Sequence, residues 1–331
     1  MNKKLSIPLL VLCVCAHAGA QTLKRVATIE LPGPPGQRFD YLTMDYEDHY
    51  LLSAHLGPGI LYVIDVRDDK VVKAIPEVPE ITGVEYTPGL GKAYTSNRGE
   101  NKVGVVDLKL MRVVGRIPLT DKPNGSTYAA EFGKMYVSTY GTEEAVIDVR
   151  KDHLVKSLRF ASTGMPQYDA VGKRVYLNLH NGEIAEIDPS SDTVVGQYRI
   201  ADCERNHGLA LDPKGRRAFV LCNGNRVLNV FDLDGHGSVA SIPIPPGSDV
   251  VKFDPGLGRI YAACLSGFIS VIEEQDPDHF RKLEDVPVEP NVHSLAVDVE
   301  THRVYAPEQE EKGQPVARML VFEPVVAAGK R

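Results

Sequence analysis

The sequence predicts an all-β fold, a seven-bladed β-propeller built from four-stranded blades. An apolar or aromatic residue is followed some ten residues later by Val/Ile-x-Val/Ile-Asp, as in residues 94–107 and 136–148. This motif returns about every 42 residues. A repeat of that length with four strand-like segments is typical of propeller blades, because stacked neighbours bury the faces that one sheet leaves exposed.

A polar residue opens the innermost strand of each predicted blade, and we call these seven positions the anchors: Asp40, Thr82, Asn124, Gln167, His207, Asp249 and His293. The second strand begins twelve residues after six of them. In the fourth blade Tyr176 follows Gln167 after only nine, which predicts a turn shortened by three residues. The third strand closes on an acid in every blade, and a residue present in every blade is expected to be structural: Asp65, Asp107, Asp148, Asp188, Asp232, Glu273 and Glu323.

The seventh repeat lacks a fourth strand at its own end of the chain. Residues 26–29 (Val-Ala-Thr-Ile) copy the outer-strand pattern of residues 239–242 (Val-Ala-Ser-Ile). We therefore expect the N-terminal strand to complete blade seven, which closes the ring and leaves no open sheet edge.

Residues 1–20 have the pattern of a secretory signal peptide. Lys3 and Lys4 precede an apolar run, and Ala18-Gly19-Ala20 offers a cleavage site. The run is too short for a membrane span. Residues 21–331 are then expected to form a single propeller domain that is periplasmic or secreted.

The charge of the chain gives no support to a nucleic-acid partner. Its formal net charge is −7 and becomes more negative when Lys3 and Lys4 are removed. Removal of the leader leaves three cysteines, Cys203, Cys222 and Cys264. In an oxidising compartment Cys203 and Cys222 are expected to pair within blade five, with three buried thiols as the alternative.

The chain contains none of the short sequence motifs that identify common cofactor-binding or catalytic sites. Heme-attachment, phosphate-binding, Gly-x-Ser-x-Gly and Cys-x-x-Cys motifs are all missing from the sequence, and so is tryptophan. Cofactors are therefore not specified by any motif, and candidate functional residues have to be sought where the repeat varies.

The anchors should ring one mouth of the central channel, and their chemistry is uneven. Neighbouring blades offer the arc His207, Asp249, His293 and Asp40, whose side chains could bind a divalent metal. A hydrated polar rim is the alternative. The acidic insertion at residues 308–315 in blade seven could cover the mouth as a lid, or form a solvated loop.

Residues 94–97 (Tyr-Thr-Ser-Asn) and 103–107 (Val-Gly-Val-Val-Asp) resemble the YVTN-repeat β-propellers. Residues 38–42 and 206–212, with the flanking cysteines, resemble the secreted bacterial YncE-like group. The resemblance implies a seven-bladed fold, the disulfide between Cys203 and Cys222, and an extracytoplasmic binding or scaffold protein. Thr82, Asn124 and Gln167 depart from the group's pattern, which implies that any ligand bound at those anchors in relatives is lost or altered here.

Two functions follow from these observations. The first is a binding or scaffold protein that holds a small molecule, metal, peptide or cell-envelope component at the channel mouth through the seven anchors. The alternative is a metal-dependent lactonase or related hydrolase, with His207 or His293 as general base and Asp40 with Asp249 as metal ligands. The sequence favours binding over catalysis, because spacing alone links no base to a nucleophile and an orienting group.

Overall fold

The computed structural model describes residues 21–326, and these form seven four-stranded antiparallel sheets. The predicted leader at residues 1–20 lies outside the described residues. Innermost strands of consecutive sheets contact one another around the whole ring, so the sheets are the blades of a seven-bladed propeller, as the repeat predicts.

The first three blades contain strands β2–β13, each blade in simple chain order. Blade one contains Leu42–Asp45 (β2), Tyr50–His55 (β3), Ile60–Asp65 (β4) and Lys70–Ile75 (β5). Blade two contains Ile81–Thr87 (β6), Lys92–Asn97 (β7), Lys102–Asp107 (β8) and Arg112–Pro118 (β9), with a 3₁₀ turn at Arg98–Glu100. Blade three contains Pro123–Ala129 (β10), Lys134–Thr139 (β11), Glu143–Asp148 (β12) and His153–Arg159 (β13), with a 3₁₀ turn at Ala130–Phe132.

The next three blades repeat the same meander. Blade four contains Pro166–Asp169 (β14), Arg174–Asn178 (β15), Glu183–Asp188 (β16) and Thr193–Arg199 (β17). Blade five contains Asn206–Asp212 (β18), Arg217–Cys222 (β19), Val227–Asp232 (β20) and Ser238–Pro243 (β21). Blade six contains Ser248–Asp254 (β22), Arg259–Cys264 (β23), Phe268–Asp276 (β24) and His279–Pro287 (β25).

Blade seven joins the two ends of the described chain, which confirms the predicted closure. Its strands are Ala296–Val297 (β26), Val304–Glu311 (β27), Gln314–Pro324 (β28) and the N-terminal Leu23–Glu30 (β1). β1 pairs antiparallel with β28, from Leu23 opposite Pro324 to Glu30 opposite Arg318. The N-terminal strand β1 is therefore the outer strand of blade seven.

The acidic insertion of blade seven forms a regular hairpin rather than an irregular loop, and its role as a lid stays a prediction. It extends the hairpin of β27 and β28, with Glu311 paired to Gln314 across a two-residue turn. The extension packs on the segment that links β1 to blade one, where the Gly36 backbone N–H donates to the Val316 carbonyl at 2.9 Å. The expected solvated segment is therefore a paired hairpin whose tip, residues 312–315, is exposed.

Two recurring residue types stabilise the propeller, one within each blade and one between blades. Third-strand aspartates accept backbone N–H groups two or three residues ahead, as Asp107 does from Lys109 and Leu110 at 2.9 Å each, so they order the next turn and are structural as expected. Buried second-strand tyrosines reach the following blade. The Tyr136 hydroxyl donates to Asp192 at 2.5 Å, and so fastens blade three to blade four.

Candidate functional site

The register of blade four shows that one anchor was placed wrongly. Gln167 pairs with Tyr176, whereas in blade two the residue that pairs with the equivalent Tyr94 is Glu85, three positions beyond the anchor Thr82. The residue of blade four at the anchor position is Gly164, whose N–H donates to the Asn178 carbonyl at 2.7 Å.

The connection between β14 and β15 is therefore not shortened. It spans residues 170–173, as many residues as the connection 88–91 of blade two. Gln167 therefore stands three positions further along its strand than the anchor Thr82 does in blade two, and its ligand-binding role stays a prediction.

β-bulges direct several anchors. The pairing of the innermost strand with its neighbour shifts register around Thr82, Asn124, His207 and Asp249. A bulge bends the strand and re-aims the side chain of the extra residue. This local irregularity explains how a regular sheet presents imidazole and carboxylate groups at the mouth.

The arc from blades five, six, seven and one is brought together through Asp249. His207 Nε2 lies 2.9 Å from Asp249 Oδ1, and His293 Nε2 lies 3.7 Å from Asp249 Oδ2. Arg38 Nη2 lies 3.8 Å from Asp249 and 3.6 Å from Asp40. All four residues of the predicted metal set thus belong to one network, which Arg38 completes.

The neutral anchors of blades two and three do not join this network. Thr82 is fully buried, and its hydroxyl lies 3.2 Å from the Ser96 carbonyl and 3.0 Å from the Pro123 carbonyl, a contact that ties blade two to blade three. Asn124 is buried as well. Thr82 thus serves the packing of the blades, while its ligand-binding role and that of Asn124 stay predictions.

His207 has both ring nitrogens engaged. Its Nδ1 lies 3.0 Å from His180 Nε2, and its Nε2 faces both Asp249 and the Tyr41 hydroxyl, the latter at 3.2 Å. Burial opposes the charge on His207, but the hydrogen bond and charge of Asp249 outweigh it and raise the pKa of the imidazole. Burial also lowers the pKa of His180, to about 4, so neutral His180 accepts the Nδ1–H of His207.

The two carboxylates of the mouth differ in charge. Burial works against ionised Asp249, yet the hydrogen bond and charge of His207 hold the pKa of this carboxyl below its usual value. Burial and the neighbouring charge of Asp249 raise the pKa of Asp40 to about 7, against the opposing effect of Arg38. Near neutral pH the mouth thus holds one firmly ionised carboxylate and one that exchanges its proton.

His293 presents an acceptor with no partner. Its Nδ1 lies 2.7 Å from the Asn291 carbonyl, to which it donates a proton, so Nε2 carries the lone pair. The residue is 3% exposed, and Nε2 has no hydrogen-bond partner within residues 21–326. Burial lowers the pKa of His293, which keeps the ring neutral.

Tyr41 forms the floor of the mouth. This blade-one residue packs in one apolar cluster with Met165 of blade four and Leu209 of blade five. Its side chain therefore reaches across the channel, and a ligand above it would meet the polar network rather than an open pore.

Repeat counting missed Arg38, Tyr41 and the functional position of His180. One signal was present in the sequence: blade four has Gly164 at the anchor position, and a Cβ there would lie 2.9 Å from His180 Nε2. Glycine at position 164 leaves the space that His180 occupies, so the anchor without a side chain marks the blade whose second strand supplies a group beside His207.

Other second-strand ends near the mouth are engaged locally. His55 is fully buried and stacks on Phe39 with ring centroids 3.9 Å apart. The Arg98 guanidinium lies 5.5 Å from the Tyr140 ring centroid, and Tyr140 is 51% exposed. His55 is therefore part of the core, whereas Arg98 and Tyr140 form the outer rim.

The disulfide of blade five holds the segment that leads to His207. Cys203 and Cys222 are bonded, with Cα atoms 5.1 Å apart and 19 residues of separation, as predicted. Cys264 is buried and free. The bond ties the chain four residues before His207 to the end of β19, which restricts the approach of that anchor to the mouth.

The metal-binding role of His207, Asp249, His293 and Asp40 stays a prediction. Residues 21–326 contain no group of three or more His, Cys, Asp or Glu side chains arranged to hold a metal ion. At the mouth, Arg38 stands beside both carboxylates and supplies the positive charge there.

No helix in the described part of the chain is long and apolar enough to cross a membrane.

Seven blades around a channel with a polar mouth define a β-propeller, a fold that serves binding and scaffold roles. The chain is similar to the uncharacterized protein YncE of Salmonella typhimurium, with 27% identity over 157 residues, and to that of Escherichia coli, with 24% over 156. These matches span 46% of this chain and 44% of each relative. The sequence similarity and the seven-bladed ring together show a likeness to the YncE-like propellers.

Solved structures agree on the fold. Hydrazine synthase of Kuenenia stuttgartiensis superposes with a TM-score of 0.74 at 16% identity, covering 90% of this chain and 97% of that one. The Pan2 WD40 domain of Neurospora crassa superposes at 0.71 and 14%, covering 91% and 95%. At these identities the likeness concerns architecture alone. No protein-family profile matches the sequence.

Proposed function

We propose that this protein is an extracytoplasmic binding protein whose channel mouth holds a small polar ligand through His293 and Asp249. The observation that carries the proposal is the buried, unpartnered Nε2 of His293, which faces Asp249 Oδ2 at 3.7 Å. A buried polar atom without a partner costs about 1–3 kcal/mol, and a ligand that satisfies it recovers that free energy.

The chemistry of the two groups selects the ligand. Neutral His293 and ionised Asp249 both accept hydrogen bonds, so a ligand group between them has to donate an N–H or O–H. Arg38 is half exposed and stands 3.6 to 3.8 Å from two carboxylates, beyond a direct hydrogen bond. Its guanidinium can therefore donate to an acceptor on the same ligand, which favours hydroxyl-rich or amino-bearing molecules such as cell-envelope fragments.

A metal-dependent hydrolase is the alternative function. His293 supports it, because a neutral imidazole with an unpartnered lone pair could act as general base or bind a cation. His207 supports it less, since both of its nitrogens already have partners. The binding function needs only the acceptors and donors that the mouth already presents.

The disulfide and the YncE-like fold support an extracytoplasmic location. Disulfides persist in oxidising compartments and are rare in the reducing cytosol. Residues 1–20 carry the sequence pattern of a leader, which is consistent with that location.

Thermal-shift measurements with monosaccharides, amino sugars, polyols and muramyl peptides test the proposal. A ligand that binds only the folded state stabilises it by about 2.7 kcal/mol at about 100 times its Kd. We expect stabilisation of the wild type to be lost in Asp249→Asn and in His293→Gln. His302→Gln is the matched control, because it removes another His–Asp pair, 2.9 Å from Asp254, at the opposite end of the blades.

Two results would count against the binding proposal. A ligand whose effect is the same in the wild type, Asp249→Asn and His293→Gln would bind elsewhere. Elemental analysis of protein purified without chelator provides the second test: a bound metal that is lost in His207→Ala and Asp249→Ala would favour the hydrolase, and lactone hydrolysis lost in His293→Gln would establish it.

A further inference from the structure

A second candidate site lies away from the mouth, in a crevice between blades six and seven. The crevice has a volume of about 610 Å³ and is bordered by the end of β25 and by strands β1, β27 and β28. Volumes of about 300–1,000 Å³ are usual for small-molecule sites. We refer to it as the Glu308 crevice.

Its walls combine apolar surface with carboxylates. Leu320 and Phe322 of β28 contribute apolar surface, and four acids line the rest: Glu284, which accepts hydrogen bonds from Thr22, and Glu289, Glu308 and Glu311. Leu320 and Phe322 belong to the apolar cluster shared by blades six and seven, so the wall that they form is part of the core. An apolar wall beside several carboxylates suits a cation that carries an aliphatic stem.

Glu308 is the residue that points to a ligand. It is 1% exposed, and its Oε2 has no hydrogen-bond partner among the described residues. A buried carboxylate oxygen without a donor is costly, and burial accordingly raises the pKa of Glu308.

Two arginines lie near Glu308, and one of them, Arg25, borders the crevice. Arg318 lies 2.7 Å from Glu30 and 2.6 Å from Glu311. Arg25 donates to the Thr28 hydroxyl at 2.6 and 3.1 Å. The charges of both arginines oppose the rise in the pKa of Glu308, but neither makes a direct ion pair with it, so its Oε2 can accept a hydrogen bond from a bound cation.

We infer that the Glu308 crevice binds an aliphatic ammonium or guanidinium group, either as a free amine or as the side chain of a basic peptide. The cation would donate to Glu308 while its methylene stem packs on Leu320 and Phe322, and Glu289 would add attraction at the entrance. An organic cation fits better than a metal ion, because no three acidic, histidine or cysteine side chains of residues 21–326 converge at metal-binding distances. This inference is independent of the proposed ligand at the mouth.

Isothermal titration calorimetry of the whole protein with agmatine, cadaverine and an N-acetylated, C-amidated Ala-Lys-Ala peptide tests the inference. We expect saturable binding that weakens with salt and falls at least about tenfold in Glu308→Gln, the factor that one charge-assisted hydrogen bond contributes. Glu310→Gln is the matched control, since Glu310 lies in the same hairpin but does not border the crevice. Binding by the amines identifies a free amine as the ligand, and binding by the peptide alone identifies a peptide side chain.

Glu289→Lys provides a second variant that leaves the buried position intact. It should weaken binding of all three probes while thermal unfolding matches the wild type. The inference is overturned if the wild type binds none of the probes at concentrations on the order of 10 mM, or if both Glu308→Gln and Glu289→Lys bind them like the wild type. Calcium binding that replaces amine binding and is lost in Glu308→Gln would also overturn it, in favour of a metal site.

Discussion

His207 Nε2 lies 2.9 Å from Asp249 Oδ1, and the two residues occupy the same repeat position in neighbouring blades. Each sits at a bulge of its innermost strand, and each shifts the pKa of the other toward the charged form. The ion pair therefore depends on the ring of blades, because neither blade alone contains both partners.

Asp249→Asn should lower the pKa of His207. The substitution removes the anion that raises this pKa, while burial, which lowers it, remains. Histidine side-chain NMR titration measures the change, and the wild-type pKa should lie above 6.5 and the variant value below it. Asp254→Asn, which removes the partner of His302, should leave His207 unchanged. A His207 pKa still above 6.5 in Asp249→Asn would contradict the ion pair.

The repeat predicted the fold well because each blade buries the same side chains. Tyr94, Tyr136, Tyr176, Tyr261 and Tyr305 are all at most 1% exposed, so the period that selects them is the period of the core. Closure by β1 was likewise predictable, since an outer strand keeps its apolar pattern wherever it lies in the chain.

The site was only partly predictable, for a physical reason. Blade four has glycine at its anchor position, and counting from polar residues moved the anchor from Gly164 to Gln167. Arg38 and His180 do not stand at the anchor position, so the repeat gives no indication that their side chains turn toward the mouth. Contacts between blades are set by bulges and by ring geometry, which one period of sequence does not encode.

Tyr136→Phe should destabilise the fold by about 1–3 kcal/mol, because the buried acceptor Asp192 loses its hydroxyl donor. Chemical denaturation measures the difference. Tyr261→Phe is the matched control, since this fully buried tyrosine occupies the same repeat position but its hydroxyl has no hydrogen-bond partner within residues 21–326. Equal losses of stability in the two variants would show that the hydrogen bond from Tyr136 to Asp192 contributes nothing to the free energy of unfolding.

Glu144→Gln should stabilise the protein at alkaline pH. Glu144 is fully buried, and burial raises the pKa of its carboxyl to about 8, against the opposing effect of the Ser138 hydroxyl at 2.6 Å. The folded state holds this proton more tightly than the unfolded state, so the contribution of Glu144 to stability is full below about pH 4.5 and is lost as pH rises through 8.

Urea denaturation of Glu144→Gln at pH 5 and at pH 9 therefore compares the two regimes. The advantage of the variant over the wild type should be larger at pH 9. Glu143→Gln, one residue earlier, should retain the wild-type pH dependence because Glu144 is still present. If the stability advantage of Glu144→Gln were the same at both pH values, the raised pKa of Glu144 in the folded state would be disproved.

Gly164→Ala should displace His180 from the mouth. The new Cβ would lie 2.9 Å from His180 Nε2 and 3.1 Å from the Asn178 carbonyl, closer than van der Waals contact permits. We expect a loss of about 1–3 kcal/mol from overpacking, together with altered NMR signals of both His180 and His207. Gly237→Ala is the control, because a Cβ there would meet nothing within 4 Å.

The double variant Gly164→Ala, His180→Ala separates the steric effect of Gly164 from a general backbone effect. If Gly164 exists to admit the His180 ring, removing that ring leaves only the contact with Asn178, and the second substitution should cost less in the alanine background than in the wild type. Equal costs of His180→Ala in both backgrounds would show that the two residues are not coupled. In that case His180 would reach His207 independently of the glycine, and the missing anchor of blade four would have no functional meaning.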